Sequence, residues 1–296
     1  MRASSTRFIC CQRDENYSKF CTFADKIEQM MQPELYFYHF GEGIKAFSST
    51  RRGGYSEGRY GEFNINRYCG DSKESISKNR ALLCQLLQID DDCLLMPHQV
   101  HQTKIVAIDE VFLRLSASER KERLEGVDAL MTDVEGVCIG VSTADCIPIL
   151  LFDKQHRASC AIHAGWRGTV KRIAEKAVKA MTETYDSQPQ DIQAQIGPGI
   201  GLDSFEVGDE VYEAFAQEGF AMETISKKYR SADFSCEKWH IDLPECNRLQ
   251  LLASGIPFGQ ISVSPICTYK HSDDYFSARR LGINSGRIFT AILISK

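Results

Sequence analysis

Cysteine and histidine stand in two neighbouring segments of small residues, Ser142-Thr143-Ala144-Asp145-Cys146 and His163-Ala164-Gly165-Trp166-Arg167-Gly168, with His98-Gln99-Val100-His101 upstream. Such a set can hold a transition metal or form a nucleophile–base pair. One Cys and two His would make three protein ligands, the pattern of a catalytic zinc with its fourth position open. Alternatively, Cys146 attacks as a thiolate with His163 as its base, or it is one more buried thiol. Three scattered ligands carry no fixed-spacing signature, so spacing leaves these readings open.

The elements that must position these groups are mostly strands. Val137–Asp145 and Ala158–His163 are short apolar runs bounded by turn residues, so Cys146 and His163 both fall at strand ends. Met96-Pro97 and the β-branched Val100 favour an extended His98–His101 segment. Extended side chains three apart face opposite ways, so only one of this pair would join a site; in a helix both could. Gly165 and Gly168 flank Trp166-Arg167 ahead of a helix, a turn whose free N–H groups and Arg167 would suit an anion.

Further strands are expected at Leu35–Phe40, Ile44–Ser49, Lys104–Ile108, Ile147–Phe152, Ile192–Ile196, Ile261–Ser264 and Ile288–Ile294. Asp71 or Ser72 can cap a helix through Ile76, Leu83 and Leu86. Val170, Ile173, Ala174, Ala177, Val178 and Met181 form one apolar helical stripe, and Val207–Phe215 and Leu243–Leu252 read as helices. Strands and helices mix without regular βαβ alternation. The expected fold class is therefore α+β, a single domain with mixed β-sheets packed between helices. Residues 1–33 carry no clear pattern and read as an N-terminal extension, with Met30 and Met31 near its end.

A net charge of −5 leaves no basic footprint for nucleic acid. The local Lys227-Lys228-Tyr229-Arg230 cluster reads as a solvated loop. No apolar run would span a bilayer, and Phe8–Cys11 is too short for a signal core, so a cytoplasmic protein is expected. The twelve cysteines lack repeated Cys-x-x-Cys pairs and read as reduced thiols, Cys84 among them. No large apolar face or tail supports a purely structural role.

The sequence resembles the laccase-domain or "multicopper polyphenol oxidase" family, whose members are regarded as purine nucleoside phosphorylases with adenosine deaminase activity. The resemblance rests on Phe47–Gly54, Phe63-Asn64-Ile65, Gly70-Asp71, Asn79-Arg80, His98–His101, Thr143–Pro148, His163–Gly168, Ile196–Ile200, Phe205–Gly208, Cys267-Thr268-Tyr269 and Phe276–Arg280. It runs through residues 34–296, the implied catalytic domain, with a fold like that of cysteine hydrolases. It implies zinc held by His101, Cys146 and His163, with purine nucleosides (adenosine, inosine or methylthioadenosine) and phosphate as substrates, in a monomer or small homo-oligomer.

On that basis Asp145 and Glu206 are the candidate proton carriers for deamination. Arg52, Asn64, Arg167 and Arg280 are candidates for substrate or phosphate. A copper phenol oxidase is disfavoured, because the seven histidines include no His-x-His pair. A Cys146/His163 or zinc hydrolase of amide or peptide bonds, such as an editor of peptidoglycan precursors, is the alternative.

Overall fold

The computed structural model describes residues 31–230 and 237–296. The proposed extension over 1–33 therefore lies almost wholly outside the described residues. Two mixed sheets stack face to face. One runs β1 (Leu35–Tyr38), β2 (Ile44–Ser49), β14 (Ile288–Ile294), β6 (Cys138–Thr143), β3 (Leu94–Leu95), with only β3 and β6 parallel. The other runs β13 (Ile261–Val263), β9 (Ile192–Ile196), β7 (Ile147–Asp153), β8 (Ala158–Ala164), β5 (Ala129–Thr132), β4 (Ile105–Ala107). A small third sheet joins β10 (Glu206–Val207), β12 (Glu237–Ile241) and β11 (Ser226–Arg230).

Side-chain alternation explains the layering. On β7, Leu150 and Phe152 meet Val141 of β6 and Ile292 of β14 between the two sheets. Ile147, Ile149 and Leu151 face the other way, onto the stripe Ile173, Ala177 and Met181 of a helix. On β14, Phe289, Ala291 and Leu293 turn outward instead, onto Leu83 and Leu87. The result is helix, sheet, sheet, helix. The outer layers are α1 (Lys73–Leu87) on one side and α5 (Ile173–Tyr185) with α8 (Leu243–Ala253) on the other. Among the described residues the remaining helices are α2 (Glu110–Leu113), α3 (Ala117–Arg123), α4 (Trp166–Val170), α6 (Asp209–Gln217), α7 (Met222–Ile225) and α9 (Ala278–Leu281). This is the expected single domain of mixed sheets between helices.

Four local expectations are corrected. The strand leading to Cys146 ends at Thr143, and Asp145 is left-handed with φ 89°. The stripe from Val170 to Met181 is broken at Arg172, whose φ of 62° separates α4 from α5. Val207 belongs to β10, so its helix begins only at Asp209, after Gly208. Lys227–Arg230 is paired as β11 against β12, and the exposed Lys228 places its ammonium over the Trp239 ring, 4.6 Å from the centroid. Ser72 does cap α1, accepting from the Ser75 amide.

Candidate active site

The turn Ala144-Asp145-Cys146 carries the chain from one stacked sheet to the other, because β6 and β7 belong to different sheets. Cys146 thus sits at the seam. Its left-handed neighbour Asp145 is anchored three ways: its carbonyl accepts from the Ile200 amide at 2.8 Å, and its carboxylate from Thr268 Oγ1 and the Arg279 amide at 2.7 Å each. His163 lies near the end of β8, paired with Pro148 of β7, and is 3% exposed.

Asp128, just before β5 and fully buried, ties the two histidines together. Its Oδ1 accepts from His163 Nδ1 at 2.8 Å and from the His101 amide at 2.9 Å, and its Oδ2 from the Gln102 amide at 2.8 Å. Its own carbonyl accepts from the His163 amide. Donating Nδ1–H to this carboxylate fixes the tautomer and leaves Nε2 of His163 with its lone pair, able to ligate a metal or to take the Cys146 proton. The converging amides hold the turn in which His101 takes φ 61°, so the segment is not the extended strand expected. The two imidazole rings meet edge to face at 4.8 Å.

One donor atom each from His101, Cys146 and His163 lies within 4.8 Å of the others. A tetrahedral zinc, with bonds of about 2.1 Å to nitrogen and 2.3 Å to sulfur, holds its donors about 3.4–3.6 Å apart. Small side-chain movements would close this set on such an ion, so the residues fit a metal. Gly165 packs against the cluster: a Cβ there would lie 2.8 Å from His101 Cδ2 and 3.1 Å from Cys146 Sγ. The glycine turn is therefore explained by close approach to the cluster, and the helix it opens is only five residues long.

Electrostatics set Cys146 apart. Burial pushes the Cys84 thiol up to about 11 and raises those of Cys138, Cys160 and Cys246. Burial also opposes ionisation of Cys146, but the His163 charge and hydrogen bonds from His101 and His163 outweigh it and bring the thiol down to about 6. Reciprocally, burial disfavours charged His163, yet the Cys146 thiolate and Asp128 raise it to about 9. Burial likewise works against the Asp128 carboxylate, and hydrogen bonds from His163 and the backbone amides still hold it below its ordinary value. Without metal the cluster is a thiolate–imidazolium pair; a metal would take the place of its proton.

The donors open into a cavity of about 640 Å³ lined by Tyr68, His98, Trp166, Phe205, Arg279 and Arg287 among others. Asp145 lines it as well, with both carboxylate oxygens already accepting hydrogen bonds. The other sequence candidates fall outside its walls. Glu206 is exposed, and its carbonyl accepts from the Arg279 guanidinium. Arg52 pairs with Asp274 at 2.6 Å beside a different cleft. Asn64 is buried against Asp71, and its neighbour Asn66 reaches the cavity instead. Arg167 lies over the Trp166 ring and Arg280 over Tyr269.

Sequence reasoning missed Asp128, whose only signal was an acid directly before the apolar run Ala129-Leu130-Met131. It also missed Gln99, which pairs with the Ser142 backbone through both amide atoms and splices the histidine segment to β6.

Together the fold and the cluster define a mixed-sheet α+β protein in which two histidines and a cysteine, a set that fits a metal, lie at the seam of two stacked sheets. Residues 45–295 match the model of the multi-copper polyphenol oxidoreductase laccase family, and the chain belongs to that family. It is 47% identical over 253 residues to a protein of Bacteroides thetaiotaomicron named purine nucleoside phosphorylase, covering 86% of this chain and 92% of that one. It is 45% identical to adenosine deaminase RL5 of an unknown prokaryotic organism, covering 85% and 94%. Among solved structures, the hypothetical protein YfiH of Bacillus licheniformis superposes with a TM-score of 0.81 at 28% identity, over 89% of this chain and 97% of that one. YlmD of Geobacillus stearothermophilus does so at 0.78 and 30%, over 86% and 93%. No helix among the described residues is long and apolar enough to cross a membrane.

Proposed function

We propose that this chain is a zinc-dependent purine nucleoside phosphorylase acting on adenosine, inosine and methylthioadenosine, with adenosine deaminase activity. The observation that carries the reading is the His101–Cys146–His163 donor set opening into a cavity sized for a small ligand, in a chain 45–47% identical to relatives named for these two activities. It is the one three-donor group found among the described residues, which suits a single ion and supplies no ligands for a multicopper array.

A zinc ion would be held by His101, Cys146 and His163 and would supply a Lewis acid. The chain's own residues do the rest. Asp128 orients His163 through Nδ1 and His101 through its amide. Phe205 and Trp166 offer flat apolar surface to a purine, and Arg279 and Arg287, whose guanidinium groups also donate to backbone carbonyls, put positive charge on the cavity wall.

Elemental analysis of the purified protein, paired with nucleoside turnover with and without phosphate, tests this. Stoichiometric zinc and phosphate-dependent release of free purine are expected. Stoichiometric copper with a thiolate absorption band, or no nucleoside turnover, would overturn it. A second reading, hydrolysis of an amide or peptide bond by a Cys146–His163 pair, is favoured by the thiol lowered to about 6. Under that reading activity survives complete removal of metal by a chelator; under the first it is lost.

A further inference from the structure

Phosphorolysis needs a group that protonates the departing purine. The two carboxylates singled out in the sequence are poorly placed: Asp145 uses both oxygens as anchors, and Glu206 lies outside the cavity walls. His98 lines the cavity and is held on three sides. Its backbone bridges to Glu125, with its amide donating to the Leu124 carbonyl at 3.0 Å. Its Nδ1 lies 2.5 Å from Glu125 Oε1. The Tyr68 ring stacks on it, with centroids 4.1 Å apart and planes 19° apart. A carboxylate on Nδ1 leaves Nε2 as the ring's exchanging atom, the same logic that orients a histidine base in a catalytic triad. Histidine is also the side chain best suited to proton transfer near neutral pH.

We propose that His98 is the proton donor to the purine leaving group, with Glu125 and Tyr68 as its positioning residues. The proposal rests on the nucleoside phosphorylase reading. A hydrogen phosphate oxygen forms a bond to C1′ as the C1′–N9 bond breaks, and that electron pair stays on the purine. His98 Nε2–H delivers its proton to purine N7. The proton of the attached hydrogen phosphate then passes through solvent back to Nε2, which leaves ribose 1-phosphate, neutral purine and His98 as it began.

The test compares the zinc-loaded wild type with His98→Gln and Glu125→Gln, in phosphate, on inosine and on 7-methylinosine. The purine of 7-methylinosine already carries positive charge and leaves without taking a proton. The expected result is a loss of about 10²-fold in kcat for His98→Gln on inosine, a smaller loss for Glu125→Gln, and recovery of most of the rate in both variants on 7-methylinosine. Zinc content and thermal unfolding are followed in parallel; should His98→Gln not fold, the Glu125→Gln pattern decides. Equal losses on both substrates, or an undiminished rate on inosine, overturn the role of His98 while leaving the phosphorylase reading intact. A wild type that cleaves neither nucleoside overturns that reading and this proposal together.

Discussion

A single oxygen of Asp128 accepts both the Nδ1 proton of His163, at 2.8 Å, and the backbone amide of His101, at 2.9 Å. One buried carboxylate therefore sets the ring of one donor and the backbone of another. Asp128→Asn removes the charge and presents an N–H to one of these donors. Loss of such a supporting carboxylate is expected to weaken zinc binding by about 10–100-fold. Competition against a chromogenic chelator measures it, and an unchanged affinity would show that the histidines are held by packing alone.

Gly165 permits the close contact between His101 and Cys146. In Gly165→Ala the new methyl would lie 2.8 Å from His101 Cδ2 and 3.1 Å from Cys146 Sγ, so one donor must move. Gly165 has φ −69°, which alanine adopts without strain, so the backbone tolerates the change. Metal content per chain should fall while cooperative thermal unfolding persists. Full zinc occupancy in the variant would mean that the cluster yields more easily than the geometry indicates.

The layering was readable in the sequence wherever burial is periodic. Ile147–Phe152 and Ile288–Ile294 are largely apolar runs between turns, Ile192–Ile196 alternates apolar with Gln193 and Gln195, and the Ile173–Met181 stripe marks its buried face directly. What escaped were backbone reversals fixed by tertiary contacts. Asp145 and Arg172 take positive φ with no glycine to announce it. The site shows the same split. Cys146, His163 and one of His98/His101 stood out by residue type, whereas Asp128 acts through amides 26–28 residues upstream. The extended reading of His98–His101 admitted one histidine, and one joins the donors, but the cause is the left-handed turn at His101 that Asp128 braces.

In metal-stripped protein the Cys146 thiol, lowered to about 6, should be the fast-reacting cysteine. Alkylation depends on the thiolate, so the sign is fixed: the rate climbs as pH rises through about 6 and levels off above it. Cys84, pushed up to about 11, stays slow across the same range. Iodoacetamide labelling read by peptide mass spectrometry gives the profile site by site. Added zinc should suppress labelling at Cys146 alone. A midpoint near the ordinary cysteine value would remove the thiolate–imidazolium pair.

Asp145 separates an anchoring role from a chemical one. Its carboxylate holds Thr268 Oγ1 and the Arg279 amide at 2.7 Å each while its backbone sits at φ 89°. Asp145→Ala loses both hydrogen bonds and places alanine in a left-handed conformation, at a cost of about 2–3 kcal/mol. For a domain of this size that lowers Tm by roughly 5–10 °C. Asparagine tolerates the left-handed region and can still accept from Thr268, so Asp145→Asn should recover much of the stability. It should also keep most of the activity, because an anchor needs an acceptor, not a titrating proton. If Asp145 carried the reaction's proton, Asp145→Asn would instead lose at least about 10²-fold in kcat at unchanged Tm. Melting curves and turnover measured on the same two variants distinguish these outcomes.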